Sequence, residues 1–195
     1  MSGRLTVLSH ASTAATVAAR FPRDEPLDDR GAAWASDARG RLTRADAVSC
    51  SPALSCRQTA AALSLTAEVD PLLRDWDLGR WRGRTLDDVA ATEPEAVRTW
   101  LTVPSEAPHG GEPLTDVLTR AAEWLATVPG RGHTVAVTHP AVVRAVILCT
   151  LDAPPSSFWR IDVAPLTTTG LRGGPGRWTL RSTGRPLESH TAIAT

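Results

Sequence analysis

Short apolar runs that end on polar residues recur along this chain, separated by stretches whose apolar residues fall three or four positions apart. Residues 4–8, RLTVL, read as a buried strand that stops at Ser9-His10. The alanine-rich segment 11–19 predicts a helix, and 21–29, with Pro22, Pro26 and several charges, a surface loop anchored inward by Leu27. A second helix is expected over 30–39, with Ala32, Ala33 and Trp34 on its inner side and Gly40 ending it. A strand over 45–49, a helix over 57–65 and a short edge strand at 68–69 follow. Residues 72–89 hold no sustained period and predict an ordered loop, weighted by Trp76 and Trp81, that leads into a helix near Thr85. Prolines 94, 104 and 108 and Gly110-Gly111 punctuate 93–111. A helical pattern returns over 112–126, with Leu114, Val117, Leu118, Ala121 and Leu125 on one side. HTVAVT at 133–138 is the clearest strand, and 141–149 the apolar helix behind it, with Pro140 at a first-turn position where a missing N–H costs little. Strands are expected at 159–163, 167–172 and 177–181, and the polar tail after 182 is expected to fray.

With 195 residues and 42% hydrophobic content, the chain fits one domain spanning 1–195. Lys plus Arg and Asp plus Glu number 21 each, so no net charge recruits nucleic acid or an anionic membrane. No apolar run reaches the roughly 18 residues of a membrane span, and the opening MSGRLTVLSH has no leader pattern, so the cytoplasm is the expected compartment. Cys50, Cys56 and Cys149 form no CxxC pair; Cys50 and Cys149 read as small buried thiols.

Repeated strand–helix units predict an α/β fold with a mostly parallel sheet, whose ligand cleft lies beyond the strands' carboxyl ends. Ser9-His10, the segment 51–55 and His139 all fall there. His10 and His139 are therefore candidate proton carriers or nucleophiles, and Asp75, in the charged loop, a candidate acid. Trp76, Ser9, Ser55, His109 and Glu112 are candidate substrate contacts; Glu112 is also a candidate cap for the helix after it. No HExxH, cysteine ligand pair, GxxxxGK[ST], GxSxG or GxGxxG motif is present, so neither a metal nor a cofactor is expected.

Taken in order, these segments resemble the histidine phosphatase superfamily, over about residues 4–181. Ser9-His10-Ala11 stands where that family has Arg-His-Gly. SPALSCRQTA at 51–60 is similar to SPLxRAxQTA, with Ser55 at the arginine position. LRDWDLG at 73–79 resembles LxExxxG, with Asp75 at the acidic position; GGE at 110–112 and VTHPAVVRA at 137–145 match two further segments. The resemblance implies a three-layer phosphoglycerate mutase-like fold, phosphorylation of His10, protonation of the leaving oxygen by Asp75 and stabilisation of the transferring group by His139.

Serine at both arginine positions removes two planar forks of donors to phosphate. The expectation is thus a divergent member lacking both phosphate-binding arginines, acting on a small, non-phosphorylated, hydrophobic or aromatic molecule held between neutral hydroxyls and Trp76. Two alternatives stand beside it. One is a phosphomonoesterase whose phosphate contacts come from Arg74, Arg80 or Arg82; Arg57 is turned about 200 degrees around its helix from Ser55. The other is an inactive ligand-binding or interaction protein.

Overall fold

The computed structural model describes residues 2–187. Six strands form one sheet: β1 (Gly3–Ser9), β2 (Ala47–Cys50), β3 (Glu68–Val69), β4 (His133–Thr138), β5 (Thr167–Gly173) and β6 (Thr179–Pro186), in the order β3-β2-β4-β1-β5-β6. β3, β2, β4 and β1 run parallel, while β5 and β6 close one side antiparallel. Every residue of β4 is buried, His133, Thr134 and Thr138 as well as the apolar run 135–137, as its place at the middle of a sheet covered on both faces requires.

Side-chain alternation along β1 and β4 assigns the two faces. Leu5, Val7 and Ala136 belong to a core built largely with α6 (Leu114–Thr127) and α7 (Pro140–Leu151). Leu8 and Val137 belong to a second core with Ala35, Cys56 and Ala60, from α2 (Asp29–Asp37) and α3 (Leu54–Ala62). The result is a three-layer α/β fold with a mixed, largely parallel central sheet. Trp34, expected on the inner side of α2, is instead 45% exposed beneath the Arg30 guanidinium, and Gly31 and Ala35 face inward.

Four local readings are corrected. The helix over 11–19 shrinks to one turn, α1 (Ala14–Val17), because Thr13 and Thr16 form a capping box and Ala19 takes a left-handed conformation (φ 49°). Between α4 (Leu86–Thr92), capped by Thr85, and α6 lies a helix unread in the sequence, α5 (Pro94–Thr102). Pro94 sits in its first turn, where proline is compatible with a helix, and Val97 and Trp100 are its buried side. Residues 159–163 form no strand; a 3-10 segment, Pro155–Arg160, turns Phe158 and Trp159 into an aromatic cluster. Residues 183–186, placed in the fraying tail, continue β6; positions 188–195 of that tail lie outside the described residues. Among the described residues no helix is long and apolar enough to cross a membrane.

Candidate active site

The register of β1 against β4 pairs Ser9 with Thr138, and the ladder runs one step further through His10 N–H to the Thr138 carbonyl at 2.9 Å. His10 and His139 therefore leave adjacent parallel strands at the same level, both on the side of Leu8 and Val137. Their ring centroids lie 5.1 Å apart at an interplanar angle of 67°.

His10 Nδ1 lies 2.7 Å from the Ala11 carbonyl oxygen. A carbonyl oxygen only accepts, so Nδ1 carries the proton and Nε2 keeps its lone pair. Burial, reinforced by neighbouring His139, lowers the His10 pKa to about 4 and keeps the ring neutral at neutral pH. His139 Nε2 contacts Ser51 Oγ at 2.8 Å, and its Nδ1 lies 3.3 Å from Asp75 Oδ2. That second approach lacks hydrogen-bond alignment, since Nδ1 has no hydrogen-bond partner. Burial, then the charge of Arg120, lowers the His139 pKa to about 3. Asp75, half-buried, accepts the Trp76 backbone N–H at 2.8 Å, and desolvation raises its pKa. A carboxyl held toward its protonated form beside a neutral imidazole with a free lone pair is a matched acid and nucleophile.

Asp75 owes its place to a buried ion pair that the sequence reading missed. Arg120 of α6 is 4% exposed and grips Glu112 through Nε to Oε1 (2.8 Å) and Nη2 to Oε2 (3.0 Å). Its remaining N–H groups reach the carbonyls of Leu72 (3.0 Å), Arg74 (2.9 Å) and Asp75 (3.1 Å). One guanidinium thus fastens the backbone on either side of the acid. The glycine pair before Glu112 has a matching reason: a Cβ on Gly111 would sit 2.1 Å from the Asp77 carbonyl oxygen, in the crossing where Glu112 N–H meets that oxygen at 2.8 Å.

The candidates from the sequence divide accordingly. A cavity of about 310 Å³ is lined by His10, His139, Asp75, Trp76 and Ser55, together with Ser51, a residue at the end of β2 that strand position alone flags. Ser9 lies outside it, on the opposite side-chain parity from His10, and its hydroxyl donates to the Ala164 carbonyl at 2.6 Å. Glu112 also lies outside it and does not cap α6, whose first turn has no side-chain cap. His109 is buried against Trp81 and Trp76, accepting the Gly111 N–H at 3.1 Å. Trp81 is wholly buried. Cys56, also wholly buried, lies 3.5 Å from His139 Nε2, and desolvation raises its thiol pKa well above the ordinary value, so it is held as a thiol.

The model for the histidine phosphatase superfamily (branch 1) matches residues 5–185. This chain belongs to that superfamily. Among relatives, the chain is 33% identical over 178 residues to a bifunctional protein of Mycobacterium tuberculosis, covering 84% of the chain and 49% of that protein. It thus spans about half the length of that relative. It is 27% identical over 168 residues to phosphoserine phosphatase 1 of Hydrogenobacter thermophilus, covering 80% of each. Among solved structures it is similar to a mycobacterial glucosyl-3-phosphoglycerate phosphatase complexed with VO3, at 28% identity and a TM-score of 0.79 over 93% of this chain and 98% of that one.

Two expectations are overturned here. The reading of this chain as a divergent member without phosphate-binding arginines does not hold: Arg23, Arg74 and Arg82 line the cavity of His10 and His139. Arginine also engages a histidine at the opposite end of β4, where Arg4 Nη2 lies 2.8 Å from His133 Nδ1 and the Arg44 carbonyl 3.0 Å from the same nitrogen. The two serine positions mislead because they say nothing about charge delivered from loops. The expected non-phosphorylated substrate is overturned as well, since the relatives with a named activity are phosphatases of phosphorylated small molecules. Of the loop arginines, Arg74 is ion-paired to Glu112 (3.0 Å) and Arg82 to Asp77 (2.8 Å), whereas Arg80 is taken up by Glu93 and Arg57 is exposed outside the cavity.

Proposed function

We propose that this chain is a phosphomonoesterase that works through a phosphohistidine at His10. The observation that carries the reading is the His10 tautomer. The proton on Nδ1 is committed to the Ala11 carbonyl, which aims the Nε2 lone pair at the cavity beside His139.

In the first step Nε2 of His10 attacks phosphorus and the bond to the leaving oxygen breaks, with Asp75 delivering its proton to that oxygen. In the second, water attacks the phosphohistidine, the P–N bond breaks, and the Asp75 carboxylate takes the water proton, restoring both groups. Ser51, His139 and the loop arginines at the cavity mouth supply donors for the phosphoryl oxygens. Arg23 is the best placed cation for the incoming group, because its guanidinium makes no ion pair among the described residues, whereas Arg74 and Arg82 are shared with carboxylates. An incoming anion also raises the pKa of His139, so substrate binding itself favours the imidazolium that stabilises the transferring charge.

The test is a single-turnover reaction with a phosphate monoester radiolabelled at phosphorus. The expected outcome is label on the protein that survives alkali and is lost in acid, present in the wild type and absent from His10→Ala. Phosphate release without any such adduct, or no release from any monoester, overturns the reading.

A further inference from the structure

Asp75 stands on a wall between two unlike chambers. The first is the polar cavity described above, with His139, Ser51, Ser55 and the arginines. The second, about 270 Å³, opens on the other side of His10, Thr13, Pro22, Asp75 and Trp76, which line both. Its remaining lining is mostly apolar, with Phe21, Trp100 and Trp159 prominent, and Thr16, Arg20 and Arg144 as its polar members. His139 is absent from it.

We propose that this second chamber is the leaving-group subsite and that it selects phosphate monoesters of alcohols carrying a flat aromatic ring system. The inference rests on the phosphomonoesterase reading and adds the substrate class. Phosphoryl transfer needs the phosphorus beside His10 and His139, the leaving oxygen beside the acid, and the organic group beyond it. Asp75 is the proton donor of the proposed reaction and borders both spaces, so an ester whose phosphate lies in the polar chamber directs its alcohol into the aromatic one. That chamber's walls are rigid. Trp76 is fixed by its Nε1–H to the Glu112 carbonyl at 2.6 Å, and its ring lies 5.4 Å from Trp100 and 5.9 Å from Trp159. Trp159 and Trp100 approach to 4.5 Å at 65°. Half-buried Phe21 and Trp159 leave part of their ring surface open, so an aromatic guest adds to the same edge-and-face arrangement that holds the walls together. A polyhydroxylated or zwitterionic alcohol would be desolvated mostly against rings, and the two cations there, Arg20 and Arg144, are already engaged by the Gly83 and Ile161 carbonyls.

The comparison that tests this uses esters with alkyl leaving oxygens of similar reactivity: naphthylethyl phosphate, glycerol phosphate and phosphoserine. The expected result is a kcat/KM for naphthylethyl phosphate at least about tenfold above the other two. Trp159→Ala should bring the three esters to within about threefold of one another. Ala141→Leu, which fills the chamber without removing a wall, should act in the same direction. Naphthylethanol should quench tryptophan fluorescence of the His10→Ala protein, a readout independent of turnover. Equal or better turnover of the polar esters, with no quenching, overturns the substrate class and leaves the phosphatase reading standing. Absence of turnover on every ester together with retained quenching overturns the phosphatase reading instead.

Discussion

At the scale of single residues, the site works by contrast between neighbours. His10 is kept neutral by burial and single-tautomer by the Ala11 carbonyl, while Asp75, a few ångströms into the same cavity, is pushed toward its protonated form by desolvation. The nucleophile must be unprotonated and the acid protonated, so kcat/KM should fall below about pH 4, where His10 titrates, and again as pH rises through the elevated Asp75 pKa. Asp75→Asn removes the donor. Its cost is expected to be about 10²–10⁴-fold in kcat for esters of alkyl alcohols, and far smaller for p-nitrophenyl phosphate, whose leaving group needs no proton. An equal loss on both substrates would show that Asp75 positions rather than protonates.

At the scale of elements, the loop 72–82, which carries the acid of the proposed mechanism, is held by a structural part. Glu112 and Arg120 form a bidentate pair buried between α6 and that loop, and removing one partner strands the other's charge. Glu112→Gln should lower the unfolding free energy by about 3–5 kcal/mol, measured by denaturant titration, and reduce kcat more than it raises KM, since the loop that loosens carries the acid. The sequence showed Glu112 plainly, as the end of a Gly-Gly-Glu turn, yet not its purpose, because its partner is eight positions along a helix on a face that reads as apolar. The same blindness to tertiary partners hid α5, where the prolines and glycines of 93–111 masked a nine-residue helix whose buried anchors are Val97 and Trp100. It also turned the alternating residues 159–163 into an expected strand, where the chain instead follows a 3-10 segment, Pro155–Arg160, that packs Phe158 and Trp159 among other rings. By contrast, β1, β4 and the helices after β2 and β4 were legible, because long apolar runs and strand-end polar residues are local signals. Both histidines were found for that reason. Of the cavity arginines, Arg74 and Arg82 were legible only as an alternative and Arg23 not at all, since motif positions specify a backbone site and a long loop side chain can bring its charge from elsewhere.

At the scale of the whole molecule, the neutral histidines tie folding to pH. His10 and His139 titrate near 4 and 3 when folded and near 6.5 when unfolded, so between those values the unfolded chain binds more protons. Stability is therefore complete above about pH 6.5 and lost progressively as pH falls toward 3, with Asp75, shifted the opposite way, offsetting part of that loss. The melting temperature should drop from pH 7 to pH 5, and the His10→Gln, His139→Gln double variant should show a shallower drop over that range. An unchanged slope would mean that neither ring is held neutral by the fold.

The parallel pairing of β1 with β4 also acts as a ruler. Neighbouring strands in any sheet stand about 4.8 Å apart, close to the 5.1 Å between the two imidazole centroids, so the gap in which phosphorus must sit is inherited from backbone hydrogen bonding rather than from side-chain packing. Deleting one residue inside 133–138 would carry the second imidazole to the reverse side of the sheet in a single step. Tuning the width of this gap by gradual substitution is closed to evolution and to the engineer alike; the chemistry can be changed only by altering what surrounds a fixed pair.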